Sequence, residues 1–161
     1  MLKLTQNNVT IEIRNPHELD KQALEAVVEP ATDQQRRQLG TAAVGHAWMA
    51  WSPIETTLKL IKFMPPQTTN QEESRKLLLS YRNALCVADR HEVSSLALPL
   101  PQQADLPLLQ ERWAAGLARV ILETCLRRRH LRRLQLVASG NQEAVLYANW
   151  LVEIQSNQAH P

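Results

Sequence analysis

Glycine is the scarcest of the structurally informative residues. Only Gly40, Gly45, Gly116 and Gly140 occur in 161 residues, where average usage would give roughly eleven. Neither G-x-G-x-x-G nor a P-loop can be written anywhere, so the generic glycine-rich phosphate cradles are excluded. Cysteine is limited to Cys86 and Cys125, with no Cys-x-x-Cys, which excludes a disulfide framework and a cysteine zinc site and fits a reducing compartment. No run of about 18 apolar residues exists to span a membrane. The start, Met1 to Gln6, has no long apolar segment of the kind a Sec signal needs. A cytoplasmic, bacterial-type soluble protein is therefore expected, although secretion without a cleaved signal leaves no mark. Histidines 17, 46, 91, 130 and 160 form no His-x-x-x-His or Glu-x-x-His pair, so neither a metal nor a cofactor is expected.

The chain that remains is ordinary in composition, with 44% hydrophobic and 21% charged residues. It is long enough for one domain with a real core. The formal net charge is only +2, which predicts no obligatory polyanion partner. Every basic residue after position 80 is an arginine, and five lie together at Arg127, Arg128, Arg129, Arg132 and Arg133.

Hydrophobic patterning organises the chain. Val9 to Arg14 alternates and is rich in β-branched residues, as a half-buried strand requires. Ala26 to Val28 reads as a short buried strand closed by Glu29-Pro30. Asp33 is the expected N-cap of a polar surface turn of helix. Two further strands are expected over Gly45 to Trp51 and Leu58 to Met64, the second stopped by Pro65-Pro66. A helix spans Glu72 to Arg90, with Leu77, Tyr81, Leu85 and Ala88 on one face. A strand over Val93 to Leu98 follows. Asp105 and Pro107 then open a long helix expected to reach Arg129, with Trp113, Leu117, Val120, Ile121 and Leu126 as its stripe. Leu134 to Ala138 forms the last expected strand, and Gln142 to Ile154 the last helix. The expected organisation is one α/β domain over residues 1–155 and a fraying polar tail over 156–161.

The stretch Tyr81-Arg82-Asn83-Ala84-Leu85-Cys86-Val87-Ala88, the strand Ser95-Leu96-Ala97-Leu98-Pro99, Trp113-Ala114-Ala115 on the long helix and Leu134 to Val137 resemble the C-terminal half of a macro domain, the ADP-ribose-binding α/β module. Ala26-Val27-Val28-Glu29-Pro30-Ala31-Thr32 is similar to that family's strand ending in Asn-Ala-Ala-Asn, and Leu58 to Pro66 to its strand ending in Gly-Pro. The resemblance implies a three-layer α/β domain, its mixed and mostly parallel central sheet covered by helices on both faces. It also implies pocket positions at Glu29, Thr32, Gln102 and Gln103. The family's ligand-gripping residues are largely missing. Asn15-Pro16-His17-Glu18 stands where an adenine-binding aspartate is usual. Glu29 and Thr32 replace the two asparagines. Neither phosphate loop carries glycine, and Pro101 and Asp105 stand in the second. A diphosphate held by backbone N–H groups needs close approach of the chain. Proline removes a donor and aspartate repels phosphate, so ADP-ribose is not expected to bind in the family's usual mode.

Other residue patterns are weighed against plain structural roles. Cys86, Asp89 and His91 suggest a nucleophile and base, yet His91 is five positions from Cys86 and points elsewhere on a helix; a buried apolar cysteine before a charged helix end is the favoured reading. The arginine cluster reads first as a helix C-terminus complementing its dipole, then as a patch for an acidic protein partner. It reads last as a nucleic-acid site, because no aromatic residue is interleaved for base stacking. Trp48 and Trp51 fall on opposite faces of a strand, so one is core and Trp51 is a candidate partner anchor. The favoured function is a non-catalytic interaction module, a regulator or adaptor acting through a protein partner. A divergent ADP-ribose binder or hydrolase and a weak nucleic-acid binder stay open as alternatives.

Overall fold

A computed structural model describes residues 2–50, 58–67, 71–101 and 110–159. Seven strands form one sheet in the order β1-β2-β7-β6-β3-β5-β4. They are β1 (Lys3–Gln6), β2 (Val9–Arg14), β3 (Ala26–Pro30), β4 (Ala47–Ala50), β5 (Lys59–Phe63), β6 (Ser95–Pro99) and β7 (Arg133–Val137). The five inner strands run parallel, and the edge strands β1 and β4 pair antiparallel to β2 and β5. The helices are α1 (Asp33–Leu39), α2 (Gln71–Arg90), α3 (Gln110–Leu126) and α4 (Asn141–Ala159).

The two faces of the sheet are covered differently. The connections β5-α2-β6 and β6-α3-β7 both step in one direction across the sheet, and α2 packs on α3 and α3 on α4. Right-handed crossovers place all three long helices on one face. The connections from β2 to β3 and from β3 to β5 step the other way, so the 3₁₀ turns Pro16–Glu18 and Lys21–Ala23, with α1, cross the opposite face. Strand alternation matches this asymmetry. Ile11, Ile13, Leu134 and Leu136 lie in register and are fully or almost fully buried in the core with Leu117, Ile121 and Leu151. Glu12 and Gln135 occupy the intervening register positions and are equally buried.

Those buried polar groups are satisfied by the thin layer. Gln135 Oε1 accepts from the Asp20 N–H at 3.0 Å. The Glu12 carboxylate takes Arg133 Nε at 2.6 Å and Arg14 Nη2 at 2.5 Å, and Arg133 also reaches Asp20 at 3.1 Å. This network ties β2, β7 and the β2–β3 connection together. The thin face needs no long amphipathic helix, and α1 accordingly buries none of its residues.

Most expected elements form, and the differences have local causes. β1 has no counterpart in the hydrophobic pattern. It pairs with β2 through a two-residue turn in which Asn7 and Asn8 have φ of 50° and 64°, the left-handed pair that a type I′ hairpin demands and asparagine tolerates. β3 continues through Glu29 to Pro30 rather than closing before them. The N-cap of α1 is Thr32, not Asp33: its hydroxyl accepts from the Gln35 N–H, and the Gln35 side chain returns to the Thr32 N–H. α3 ends at Leu126 rather than near Arg129, and Leu126 is exposed rather than part of the inward stripe. The last helix continues to Ala159, held by Gln155 Nε2 on the Thr5 carbonyl at 2.7 Å. Trp51, Gln102, Gln103, Asp105 and Pro107 lie outside the described residues.

The hydrogen bond from Arg133 holds the Glu12 carboxyl below its ordinary 4.5 against the opposing effect of burial, and Arg14 adds to it. A depressed carboxyl stabilises the fold fully above the ordinary carboxylate range and loses that contribution as pH falls through the lowered value. Glu12→Gln removes the charge and one acceptor oxygen, turning an NH₂ donor toward Arg14 or Arg133, and is expected to lower stability by about 2 kcal/mol. Urea denaturation at neutral pH checks the loss, and the same variant should show a flatter decline of stability below pH 4.5.

Candidate functional site

Two places in this fold bring chemistry together, and they lie at opposite ends of the parallel strands. The first is set by topology. β3 and β6 are neighbours, but the chain leaves β3 toward β5 and leaves β6 toward β7. A crevice at the carboxyl ends of the strands, where the direction of connection reverses, is the general ligand position of open α/β sheets. Glu29, Thr32 and the segment Pro99-Leu100-Pro101 stand at this end.

The groups there are turned onto one another. The Glu29 carboxylate pairs with Lys62 Nζ at 3.1 Å across the β3–β5 ladder. Pro30 has no N–H. The Ala31 N–H donates to the Phe63 carbonyl at 2.8 Å. The Thr32 N–H donates to Gln35 Oε1 at 2.9 Å, and Thr32 Oγ1 accepts the Gln35 N–H at 3.2 Å. This is a reciprocal capping box, which satisfies the orphan donors of a helix start from within. On the other wall, Tyr81 of α2 packs edge-on against Phe63 with ring centroids 5.0 Å apart. Its hydroxyl donates to the Pro99 carbonyl at 2.5 Å, and the Leu100 N–H donates to the Val137 carbonyl at 2.9 Å. Of the expected pocket positions, Glu29 and Thr32 thus sit at the crevice with their polar groups engaged inside the fold.

The second place is at the amino ends of the strands, where α2 and α3 finish. A cavity of about 470 Å³ opens between them. Arg82, Cys86 and Arg90 line it from α2, Val120, Glu123 and Thr124 from α3, and Arg127 and Arg128 from the loop beyond. The Asp89 carboxylate is at its edge and accepts three successive backbone N–H groups, from Arg129 at 2.9 Å, His130 at 2.7 Å and Leu131 at 3.0 Å. Burial pushes the Asp89 carboxyl up, but these three donors together outweigh it and hold it below the ordinary value. An acceptor so occupied is not a general base. His91 is exposed on the turn after α2 and bonds through its backbone N–H to the Val87 carbonyl. The expected buried cysteine is a correction: Cys86 is exposed, whereas Cys125 is buried and its thiol is pushed up to about 12, mainly by burial. Cys86 points out because it falls on the Arg82–Arg90 stripe, one step off the Leu85 face.

The five clustered arginines separate into different roles. Arg133 belongs to the Glu12–Asp20 network. Arg128 donates from Nε and Nη2 to the Asn7 carbonyl at 3.1 and 2.8 Å, while Asn7 Nδ2 donates to the Leu126 carbonyl at 2.9 Å and so closes the end of α3. Arg132 Nη1 caps the Arg129 and Leu131 carbonyls. Arg127 and Arg129 have side chains without a partner among the described residues. Sequence reading placed the cluster but missed Arg82, Cys86 and Arg90 as its neighbours; their four-residue spacing along α2 was the available signal. Among the described residues, no three His, Cys, Asp or Glu side chains converge as a metal site. No described helix is long and apolar enough to cross a membrane.

No family model matches the chain, and no curated protein matches its sequence. Solved structures do match. The Oceanobacillus iheyensis macrodomain with ADP superposes with a TM-score of 0.78 at 16% identity, covering 97% of each chain. A variant of that macrodomain with ADPR gives 0.76 at 13% identity, over 96% of this chain and 98% of that one. The macro domain of ganglioside induced differentiation associated protein 2 gives 0.65 at 15% identity, over 89% and 82%. The chain is a three-layer α/β domain with a mixed, mostly parallel sheet and a switch-point crevice. Its fold is that of a macro domain, as the resemblance implied.

Loss of the Asp89 charge exposes three N–H groups to weaker acceptors. Asp89→Asn is expected to cost about 2 kcal/mol and to speed amide hydrogen exchange selectively at 129–131. In the native protein one thiol, Cys86, should react with a neutral alkylating reagent, and a second only in denaturant; mass spectrometry of the labelled peptides reads both.

Proposed function

We propose that this protein is a non-catalytic interaction module on the macro domain scaffold, a regulator or adaptor that works through a protein partner and does not bind ADP-ribose in the standard mode. The observation that carries the reading is the β3–α1 junction. A macro-like phosphate site needs unoccupied backbone N–H groups and close approach of the chain. Here Pro30 supplies no donor, the Ala31 and Thr32 N–H groups are taken by Phe63 and Gln35, and Asp33 adds negative charge in the first turn of α1. Glu29 stands at the strand end, paired with Lys62. Each missing charge-assisted bond removes about 1.5–3 kcal/mol, and two or three suffice to carry a micromolar ligand out of the useful range. A fold hosts many functions, so likeness to ADP- and ADPR-bound structures is not itself an activity.

That likeness does support a second reading, a divergent ADP-ribose binder or ADP-ribosyl hydrolase in which the Gln102 and Gln103 amides replace backbone donors. Calorimetric titration with ADP-ribose separates the two. The interaction module gives no saturable heat in the micromolar range and releases no ADP-ribose from a modified protein. Micromolar binding, lost in a Gln102 or Thr32 variant, establishes the second reading instead.

A further inference from the structure

The cavity at the ends of α2 and α3 is far from the switch-point crevice and takes no part in it. Four arginines line it, Arg82, Arg90, Arg127 and Arg128. The first three have no side-chain partner among the described residues, and Arg128 is held in place by the Asn7 carbonyl. Two carboxylates are near, but Asp89 is occupied by three backbone donors. Glu123 is then the sole uncommitted acid of the lining. Helix C-termini carry partial negative charge that opposes an anion. Here the last carbonyls are already covered: Asn7 donates to Cys125 and Leu126, and the Val93 N–H donates to Ala88. What the cavity presents outward is therefore cationic.

Its size and lining narrow the occupant. At about 470 Å³ it holds a few side chains rather than a domain face. Cys86 and Val120 add apolar lining beside the charged groups, and arginine stems can do the same. Among the described residues no aromatic side chain lines it, so they offer a nucleobase no stacking surface. Arginine pairs with carboxylates in a planar, two-bond geometry.

We infer that the cavity between α2 and α3 docks an acidic segment of a protein partner, its carboxylates on Arg82, Arg90 and Arg127 and an apolar side chain against Cys86 and Val120. The inference rests on the partner-dependent role proposed above and gives it a location and a chemistry. Cys86 supplies the test, because it lies in the cavity while Cys125 is buried.

The rate of Cys86 alkylation by neutral iodoacetamide is measured in the intact protein with a capped Glu-Glu-Leu-Leu-Glu-Glu peptide. Occupancy should slow labelling about tenfold when the peptide is at about ten times its Kd. The effect should weaken with added salt. The Gln-Gln-Leu-Leu-Gln-Gln peptide should not slow it, and Arg82→Glu with Arg127→Glu should abolish the protection, measured as the ratio of that variant's own Cys86 rates with and without peptide. Unchanged labelling at millimolar acidic peptide overturns the inference. Equal protection by the glutamine peptide, or by a single-stranded oligonucleotide of matching charge, overturns it too. Micromolar ADP-ribose binding would remove the proposed function without altering Cys86 protection, and absent protection would leave the calorimetric result standing, so the two failures are distinguishable.

Discussion

One carboxylate organises the end of the domain where the charged residues gather. Asp89, in the last turn of α2, accepts the N–H groups of Arg129, His130 and Leu131 in succession. These donors lie in the loop between α3 and β7, so a single side chain fixes the chain's path over the bottom of the sheet. The next two N–H groups, of Arg132 and Arg133, continue onto the Ser94 carbonyl at 2.8 and 2.9 Å. β7 can then enter between β2 and β6 in register, with Leu134 beside Ile11 and Leu96. Unmade, the buried Leu131 N–H alone would cost about 1–3 kcal/mol, while the exposed donors would turn to water and free the loop's path. The same constraint leaves Arg127 and Arg129 facing outward while Arg133 turns to Glu12.

The two ends of the parallel strands thus carry opposite arrangements. At the carboxyl ends, where the macro domain fold has its topological crevice, the chain satisfies its own donors: a capping box closes α1 and an ion pair joins Glu29 to Lys62. At the amino ends, Asp89 is occupied by its loop and Glu25 by Ser94, while Arg82, Arg90 and Arg127 have no side-chain partner among the described residues and outnumber the uncommitted Glu123. A polar group already hydrogen-bonded inside the protein has little to offer a ligand, whereas an exposed guanidinium has most of its donors free. By that physical criterion the amino-end cavity suits the proposed interaction better than the switch-point crevice does.

How much of this was legible in the sequence depended on range. Strands with β-branched alternation, such as Val9 to Arg14, and helices with a clean stripe, such as Leu77 to Ala88, were readable because burial on one face imposes a period. β1 was not, because Leu4 is its one apolar residue and its signal is the Asn7-Asn8 turn rather than a pattern. The Thr32 cap lay one residue before the aspartate that looked the better candidate; the Gln35 partner three residues on was the deciding clue. Glu29 and Thr32 both stand at the carboxyl ends of the strands, and no local pattern announces that Glu29 pairs with Lys62 across the β3–β5 ladder. The cavity was invisible for a different reason. Arg82, Cys86 and Arg90 share one helical stripe and Val120, Glu123 and Thr124 another, yet their meeting depends on how α2 packs against α3.

An amide-resolved NMR titration of the ¹⁵N-labelled protein, run in parallel with ADP-ribose and with the acidic peptide, tests this contrast between the two ends most directly. ADP-ribose is expected to leave the amides of Glu29, 31–36 and Leu100 unmoved, while the peptide shifts those of 82–92 and 124–131. Saturable shifts at 29–36 with ADP-ribose, and none at the α2–α3 end with the peptide, would contradict it.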